Sequence, residues 1–187
     1  MLSFILSILF FIFAIIVLIA AAFQVSYSFS KDKIGFLPSL SAKLTNELEK
    51  TFYKYLKDPS KYEFIELGAG VANIAGYVAK TFEFKKVVAV EIDPFVIFFG
   101  RLLNSFSTKP IEFIRKNLFD YEIPKKSVLY CYLGHTILEK MYKEGRLDGH
   151  LVISTTFRLE GVLPAEVIDM KNFYRRLYIY DFRGKLS

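Results

Sequence analysis

The sequence has few of the side chains that bind metals or form disulfides, with one cysteine and two histidines among 187 residues. The cysteine, Cys131, lies in an apolar run and has no partner for an internal disulfide, so we interpret it as a small buried hydrophobe. One cysteine and two scattered histidines do not form a metal site, and we expect no metal. No Ser-His-Asp or Cys-His arrangement is legible. These absences exclude a disulfide scaffold and leave nothing that indicates metal or nucleophilic catalysis.

Charge is absent from one long segment, since no Asp, Glu, Lys or Arg occurs between Leu2 and Val25. An apolar helix of this length crosses a hydrocarbon core of roughly 30 Å. Residues 1–25 are therefore predicted to form a transmembrane anchor. A cleaved signal peptide is the alternative, because Ala20-Ala21-Ala22 imitates a signal-peptidase site, but no basic residue precedes the apolar run. A buried core helix would normally carry a polar stripe, which is missing here.

The remaining chain divides into a linker, residues 26–40, and a domain, residues 41–187, that is long enough for one hydrophobic core. Lys31, Lys33 and Lys43 follow the apolar segment, and no Lys or Arg precedes it. By the positive-inside rule, this asymmetry predicts a single-pass membrane protein whose C-terminal domain faces the cytoplasm.

The formal net charge is +6, from 25 basic and 19 acidic residues. The basic residues occur as scattered pairs, for which a solvated surface is the default interpretation. Attraction to anionic lipid headgroups is the second interpretation. Nucleic-acid binding is the third, because the pairs form no stripe. We expect a membrane and no nucleic acid as partners.

The most informative pattern joins two apolar runs at a glycine turn. The first run contains Glu66 and is followed by Gly68 and Gly70. The second run ends at Glu91, about twenty residues after these glycines. This is the sequence form of a βαβ nucleoside-binding unit. A dinucleotide fingerprint requires a third small residue, where this chain has Asn73. A tight turn without any ligand is the structural alternative.

Glu66 decides which nucleoside the pattern favours. A carboxylate before the glycines suits a cationic ligand better than a pyrophosphate. S-adenosylmethionine (SAM) is such a ligand, since it carries a sulfonium and an α-ammonium group. Its carboxylate is expected to use N–H groups at the start of the helix after Gly70. Glu91 is placed to accept hydrogen bonds from both ribose hydroxyls.

Apolar periodicity and turn residues predict an alternation of strands and helices after residue 41. Ser41 is the expected N-cap of the first helix. Helices are also predicted for residues 71–81, 94–103 and 136–143. The predicted strands are 64–67, 86–91, 111–115, 128–133 and 151–157, with a final antiparallel hairpin of 165–170 and 177–182. Such alternation predicts an α/β fold with a mostly parallel sheet, helices on both faces, and a ligand at the carboxyl ends of the first three strands.

The chain from Phe36 to Phe182 resembles the class I, seven-β-strand, SAM-dependent methyltransferases with their Rossmann-like sheet. It is most similar to a small subgroup of protein-lysine methyltransferases, which contains a broad-specificity archaeal enzyme and membrane-anchored mitochondrial enzymes. The segments that carry the resemblance are Phe36-Leu37-Pro38-Ser39, Glu66-Leu67-Gly68-Ala69-Gly70, Val90-Glu91-Ile92-Asp93, and Asn117 with Leu118 and Phe119. The chain departs from the family at Val71-Ala72-Asn73, where Asp-Gly-Arg is usual.

The resemblance implies SAM as cofactor and a lysine side chain of a membrane or membrane-adjacent protein as acceptor. It implies that the cofactor-binding residues are Pro38, Ser39, Glu66, Gly68, Ala69, Gly70, Glu91, Ile92, Asn117 and Leu118. The lysine ammonium, whose ordinary pKa is about 10.4, must lose a proton before it accepts a methyl group. Tyr130, Tyr132 and His135, at the end of the fourth predicted strand, are the catalytic candidates. The alternatives are that the tyrosines pack and that His135 caps the next helix.

Two other functions remain open on the sequence alone. The chain lacks the Asn/Asp-Pro-Pro-aromatic signature of many amide and base N-methyltransferases after the fourth strand, so base methylation is disfavoured. Methylation of a lipid or quinone predicts an apolar tunnel lined by Phe95, Phe98 and Phe99, although such aromatics are more often core residues. A degenerate methyltransferase fold that serves as a membrane scaffold is the non-enzymatic alternative, favoured by the altered segment after Gly70.

Overall fold

The computed structural model describes residues 5–15, 17–18, 41–105, 107, 109–170 and 176–184. The chain forms two compact units, Met1–Leu37 and Pro38–Ser187. The boundary between them falls inside the predicted linker.

In the first unit, residues 5–15 and 17–18 are helical (α1) and expose large apolar side chains such as Phe10 and Leu18. Within the described ranges, no helix is long and apolar enough to cross a membrane. The predicted anchor lies partly outside these ranges, and the predicted linker lies wholly outside them. The predicted cofactor residues Pro38 and Ser39 also lie outside the described residues.

The second unit is an α/β domain built on a seven-stranded sheet. Its helices are α2 (Ala42–Tyr55), α3 (Asn73–Thr81), α4 (Pro94–Leu103) and α5 (His135–Lys143), with a 3-10 turn at Pro59–Lys61. Its strands are β1 (Glu63–Leu67), β2 (Lys86–Glu91), β3 (Glu112–Arg115), β4 (Ser127–Cys131), β5 (Leu151–Thr155), β6 (Glu166–Asp169) and β7 (Arg176–Asp181). The spatial order is β3-β2-β1-β4-β5-β7-β6.

Five strands of this sheet are parallel, and β7 runs antiparallel to both β5 and β6. The predicted mixed sheet with its C-terminal hairpin is therefore confirmed. The strand order reverses direction at β1, so the carboxyl ends of β1, β2 and β4 frame the crevice where ligands bind in open α/β sheets.

Alternation along the central strands places apolar side chains on both faces of the sheet. Phe64 on β1 packs in one cluster with Phe52 of α2 and Val78 of α3. Leu67, also on β1, packs in a second cluster with Leu138 of α5. Helices thus cover both faces, as a parallel sheet requires.

Local signals explain where the helices begin. The Ser41 side chain accepts a hydrogen bond from the Leu44 N–H (3.2 Å), as expected of an N-cap. Asp93 does the same for α4, where its carboxylate accepts from the N–H groups of Phe95 and Val96. Pro94 then occupies the first turn, where its missing N–H costs nothing.

Four strands, β3, β4, β5 and β6, are shorter than the sequence predicts, and for two of them the structure shows why. β4 ends at Cys131, because its partner on β1, Leu67, is followed directly by the turn at Gly68. β5 ends at Thr155, because Thr156 adopts a positive φ of 74°. The Ser154 hydroxyl then donates to the Phe157 carbonyl (2.6 Å), which closes the turn.

The aromatic side chains of α4 correct one expectation. Phe95 and Phe98, for which core packing is the more common role, are exposed on the surface of the domain. Only Ile97 and Gly100 of this helix are buried. The periodicity predicted the helix correctly but did not show which of its faces has a partner.

Candidate functional site

The turn between β1 and α3 requires glycine at its first position. Gly68 has a φ of +66°, and a Cβ built on it would lie 2.7 Å from Leu133 Cδ2. Gly70 and Ala72 also have positive φ, 56° and 59°. Because Ala72 is left-handed, α3 begins at Asn73 and not at the predicted residue 71. The Ala69 N–H donates to the Val90 carbonyl (3.0 Å), so the turn stays against the end of β2.

Glu66 is enclosed beneath this turn and binds the start of α3. Its Oε2 accepts a hydrogen bond from the Ala75 N–H at 2.7 Å, and the residue is only 5% exposed. Burial is the main reason that the pKa of this carboxyl is raised to about 8, and the charge of Glu91 also raises it. Hydrogen bonds from the N–H groups of Ala75 and Ile74 lower the pKa but do not offset the effect of burial.

This placement bears on one prediction about α3, which concerns the N–H groups at its start. We expected the N–H groups at the start of the helix to receive the carboxylate of a ligand. In the structure, the Ala72 N-cap provides no side-chain hydrogen bond, and the Glu66 carboxylate serves the N-terminus instead. The N–H of Ala75 is therefore already taken by the protein.

Glu91, at the end of β2, connects the second strand to the glycine turn. Its Oε2 accepts from the Gly70 N–H at 2.9 Å, and its Oε1 accepts from Ile92 N (2.8 Å) and Asp93 N (3.1 Å). A carboxylate has about four acceptor positions, so capacity remains for a hydroxyl group of a ligand. The side chain is half-buried and held in place by three backbone donors.

The neighbouring strand contributes to the same edge of the sheet. The Lys116 N–H donates to the Glu91 carbonyl (3.1 Å), so the loop after β3 begins beside the end of β2. Asn117 is exposed in this loop, and its Oδ1 accepts from the Phe119 N–H at 3.0 Å. Ile92 is exposed next to Glu91. The structure thus brings Glu66, Glu91 and Asn117 to the carboxyl ends of three adjacent strands.

The three catalytic candidates differ in accessibility. Tyr130 is 1% exposed, and the Thr155 hydroxyl donates to its phenolic oxygen at 2.8 Å. This placement favours the packing alternative for Tyr130. Tyr132 is half-buried just beyond β4, with its ring 6.2 Å from that of Phe157.

His135 is the first residue of α5 and lies beside two carboxylates. The N-cap of this helix is Gly134, with no side-chain cap, so the capping alternative for His135 is not observed. Its Nε2 lies 3.5 Å from Glu160 Oε1 and 3.8 Å from Glu139 Oε1. The Glu160 N–H donates to Glu139 Oε1 at 2.6 Å, which fixes the loop after β5 against α5.

No group of three side chains able to hold a metal ion occurs in the described part of the chain. The buried cysteine behaves as predicted, since Cys131 is enclosed in the core and burial raises the pKa of its thiol to about 12.

Solved structures with the same architecture provide the comparison. An RNA methyltransferase from Salinibacter ruber, in complex with S-adenosyl-L-homocysteine, is 19% identical with a TM-score of 0.64 over 79% of this chain and 95% of that one. Ribosomal protein L11 methylase from Lactobacillus delbrueckii subsp. bulgaricus is 14% identical, with a TM-score of 0.55 over 73% and 77%. TrmK of M. capricolum, bound to S-adenosylhomocysteine, is 19% identical, with a TM-score of 0.54 over 76% and 69%.

The fold is that of the class I SAM-dependent methyltransferases. No protein-family model matches the chain, and no curated protein sequence matches it either. At 14 to 19% identity, the likeness to these structures establishes the methyltransferase fold and leaves the acceptor open.

Sequence reasoning missed two contributions to this site. Glu139 and Glu160 are 21 residues apart and meet only because α5, which follows β4, lies beside the loop after β5, so no local signal identified them. Asn104, at the end of α4, donates from Nδ2 to the Val71 carbonyl (3.1 Å) and thereby supports the glycine turn. A glycine inside a helix, Gly76, marked this close approach in the sequence, since the Asn104 side chain occupies the space beside it.

Proposed function

We propose that the protein is a SAM-dependent methyltransferase whose cofactor binds at the carboxyl ends of β1, β2 and β3. The observation that carries the proposal is the hydrogen bond from the Gly70 N–H to Glu91 Oε2, which places a carboxylate against the glycine turn. Two of the structures with this fold contain S-adenosylhomocysteine. SAM, when bound, supplies an electrophilic methyl group.

The residues at this edge fit such a cofactor. Gly70, which has a positive φ and no side chain, allows close approach to the backbone of the turn, whereas Leu133 fills the space beside Gly68. Glu91 keeps acceptor capacity for one ribose hydroxyl, and the exposed Ile92 offers an apolar surface to an adenine ring. Asn117 is exposed beside them, with an amide group for the base. Glu66, which the sequence pattern assigned to a cationic ligand, is buried with a pKa raised to about 8, so at neutral pH it binds the start of α3 and adds little negative charge beneath the turn.

We further propose that the acceptor is a lysine side chain of a membrane or membrane-adjacent protein. Glu139, on α5, and Glu160, in the loop after β5, lie beside His135. Their negative charge attracts an ammonium group and repels a phosphate. We propose that Tyr132 and His135, near the end of β4, orient the amine and that His135 accepts its proton through water.

Membrane attachment by residues 1–25 is part of the proposal, with the C-terminal domain in the cytoplasm. It is supported by the uncharged sequence of this segment and by the lysines that follow it. The test is fractionation of cells that express the full chain, followed by protease treatment of intact membranes. Release of the protein by alkaline carbonate, or digestion of the domain from the non-cytoplasmic side, contradicts this part.

RNA methylation is the competing function, and two observations favour it. Several structures with this fold are named as RNA methyltransferases, and the chain has a net charge of +6. Identifying the methyl acceptor therefore requires an experiment that distinguishes a lysine side chain from RNA.

The decisive experiment has two steps. Calorimetric titration of SAM into the detergent-solubilised full chain is expected to give micromolar binding that is lost in Glu91→Ala. Transfer of tritiated methyl groups from SAM into whole membranes plus total RNA then identifies the acceptor. Label in methyl-lysine after acid hydrolysis supports the proposal, whereas label in nucleosides or in the organic-solvent phase overturns the lysine acceptor. Absence of SAM binding overturns the enzyme and leaves the scaffold alternative.

A further inference from the structure

The outward face of α4 is apolar and exposed. Phe95 is 74% exposed, Phe98 62%, Leu102 58% and Leu103 63%. We call these four side chains the α4 face. The spacings of three and four residues place Phe95, Phe98 and Leu102 along one stripe of the helix. A helix that is apolar on all sides is normally buried, so an exposed one marks an interaction surface.

The opposite side of α4 already packs on the domain, which defines how the helix is oriented. A Cβ built on Gly100 would lie 2.8 Å from the Phe113 ring of β3 and 3.2 Å from the Val71 carbonyl. Ile97 is buried on the same side. The α4 face therefore points away from the sheet, and no rotation of the helix hides it without loss of this packing.

The exposed charges on α4 and at the end of β3 are positive, whereas the nearby acids Asp93 and Glu91 are half-buried and accept hydrogen bonds from backbone N–H groups. The helix Pro94–Leu103 contains no acidic residue, and its one charged side chain is the exposed Arg101. Arg115 and Lys116, both exposed, lie at the end of the strand on which α4 packs. The acid of that strand, Glu112, is paired with Lys86. Phenylalanine and leucine beside exposed cations are the composition that binds the interface of an anionic bilayer.

We propose that the α4 face docks on the anionic lipid surface of the membrane that holds the N-terminal segment. The proposal rests on the membrane attachment proposed above. Residues 26–40 reach at most about 50 Å when fully extended, so a tethered domain stays close to the bilayer. At the resulting high local concentration, a modest interfacial affinity is sufficient for docking. A second copy of the chain matches the charges less well, because two α4 faces would bring Arg101 of each copy together.

Docking through α4 has a consequence for the proposed active site. At the end of α4, Asn104 donates a hydrogen bond to the Val71 carbonyl of the glycine turn. At the start of α4, Asp93, which lies two residues after Glu91, accepts a hydrogen bond from the Phe95 N–H. Both ends of the docked helix therefore lie at the cofactor edge. The site is thereby held beside the bilayer surface, where it meets acceptor groups at headgroup depth and excludes those in bulk solution.

The absence of tryptophan allows a direct test. Phe95→Trp introduces a single fluorophore on the α4 face, and Tyr53→Trp, on α2, introduces one at a position with matching exposure (73%) away from that face. Each full-length variant is reconstituted into vesicles of phosphatidylcholine and phosphatidylglycerol, with or without brominated acyl chains. Circular dichroism and SAM titration establish that both variants are folded and bind as the parent does.

The expected result is loss of about half of the Phe95→Trp emission in brominated vesicles, because interfacial helices bury their apolar face about 5–10 Å deep. Tyr53→Trp emission is expected to stay unchanged. Equal emission of Phe95→Trp with and without bromine, in protein that floats with the vesicles, overturns α4 docking and leaves the anchor intact. Failure to float overturns both membrane proposals while the SAM titration still reports on the methyltransferase. Energy transfer between labelled copies without lipid quenching assigns the face to a dimer instead and also overturns the proposal.

Discussion

The carboxylate of Glu91 accepts a hydrogen bond from the backbone N–H of Gly70 across 2.9 Å, 21 residues apart in the chain. This contact connects the carboxyl end of β2 to the turn that follows β1. Two further backbone donors hold the same carboxylate, so its geometry is set before any ligand arrives. Preorganisation of this kind reduces the entropy that a ligand must lose on binding.

Replacement of Glu91 tests this arrangement. Glu91→Ala removes the acceptor for three N–H groups and for the ribose, so SAM affinity is expected to fall on the order of 100-fold, since each tenfold change corresponds to about 1.4 kcal/mol. Isothermal titration of the full chain measures the effect. Glu112→Ala is the matched control, because Glu112 begins the neighbouring strand β3 and pairs with Lys86 on the surface. Equal affinities in the two variants would place the cofactor elsewhere.

Glu66 makes the stability of the domain depend on pH. Its pKa in the folded state is about 8, well above the 4.5 of a solvent-exposed glutamate. Between these values the native state keeps a proton that the unfolded chain has released, so the free energy of unfolding falls as the pH rises from about 4.5 to about 8 and then levels off. Urea denaturation at several pH values measures this slope. Glu66→Gln is expected to flatten it, and an unchanged slope in that variant would assign the titration to another group.

Gly68 combines a positive φ with a lack of space, and these two costs can be separated. Gly68→Ala imposes both the left-handed strain and a contact with the buried Leu133 side chain. Gly161→Ala imposes only the strain, since its φ is +70° and nothing lies within 4 Å of the built Cβ. We expect a loss of about 1 kcal/mol in unfolding free energy for Gly161→Ala and about 2–3 kcal/mol for Gly68→Ala. Chemical denaturation compares the two, and equal losses would show that Leu133 adjusts without cost.

The two tyrosines are expected to separate structure from catalysis. Tyr130→Phe removes the oxygen to which the Thr155 hydroxyl donates, so stability falls by about 1 kcal/mol and methyl transfer stays unchanged. Tyr132→Phe is expected to lower kcat about 100-fold at unchanged stability if its hydroxyl positions the acceptor amine. Thermal unfolding and single-turnover methyl transfer report the two effects independently. The reverse pattern would return Tyr130 to the list of catalytic residues.

Much of the fold follows from local patterns. β2 has the predicted boundaries and α4 begins at the predicted Pro94, because an apolar run and a Pro after an Asp cap are signals contained in a few neighbouring residues. The glycine turn and the acids beside it are of the same kind. Boundaries that depend on a partner were missed: the end of β4 is set by the turn of β1 at Gly68, which no residue of β4 encodes.

The sequence by itself determined the order of the elements, the positions of Glu66 and Glu91 at strand ends, and the turn that only glycine fits. These depend on short-range sterics and periodicity, which a chain carries in every state. The tertiary structure alone decided that Glu66 caps α3, that Glu139 and Glu160 meet beside His135, and that Phe95 and Phe98 face outward. Periodicity shows that a helix is apolar, but burial depends on which distant segments pack against it, and those contacts exist only once the sheet has formed.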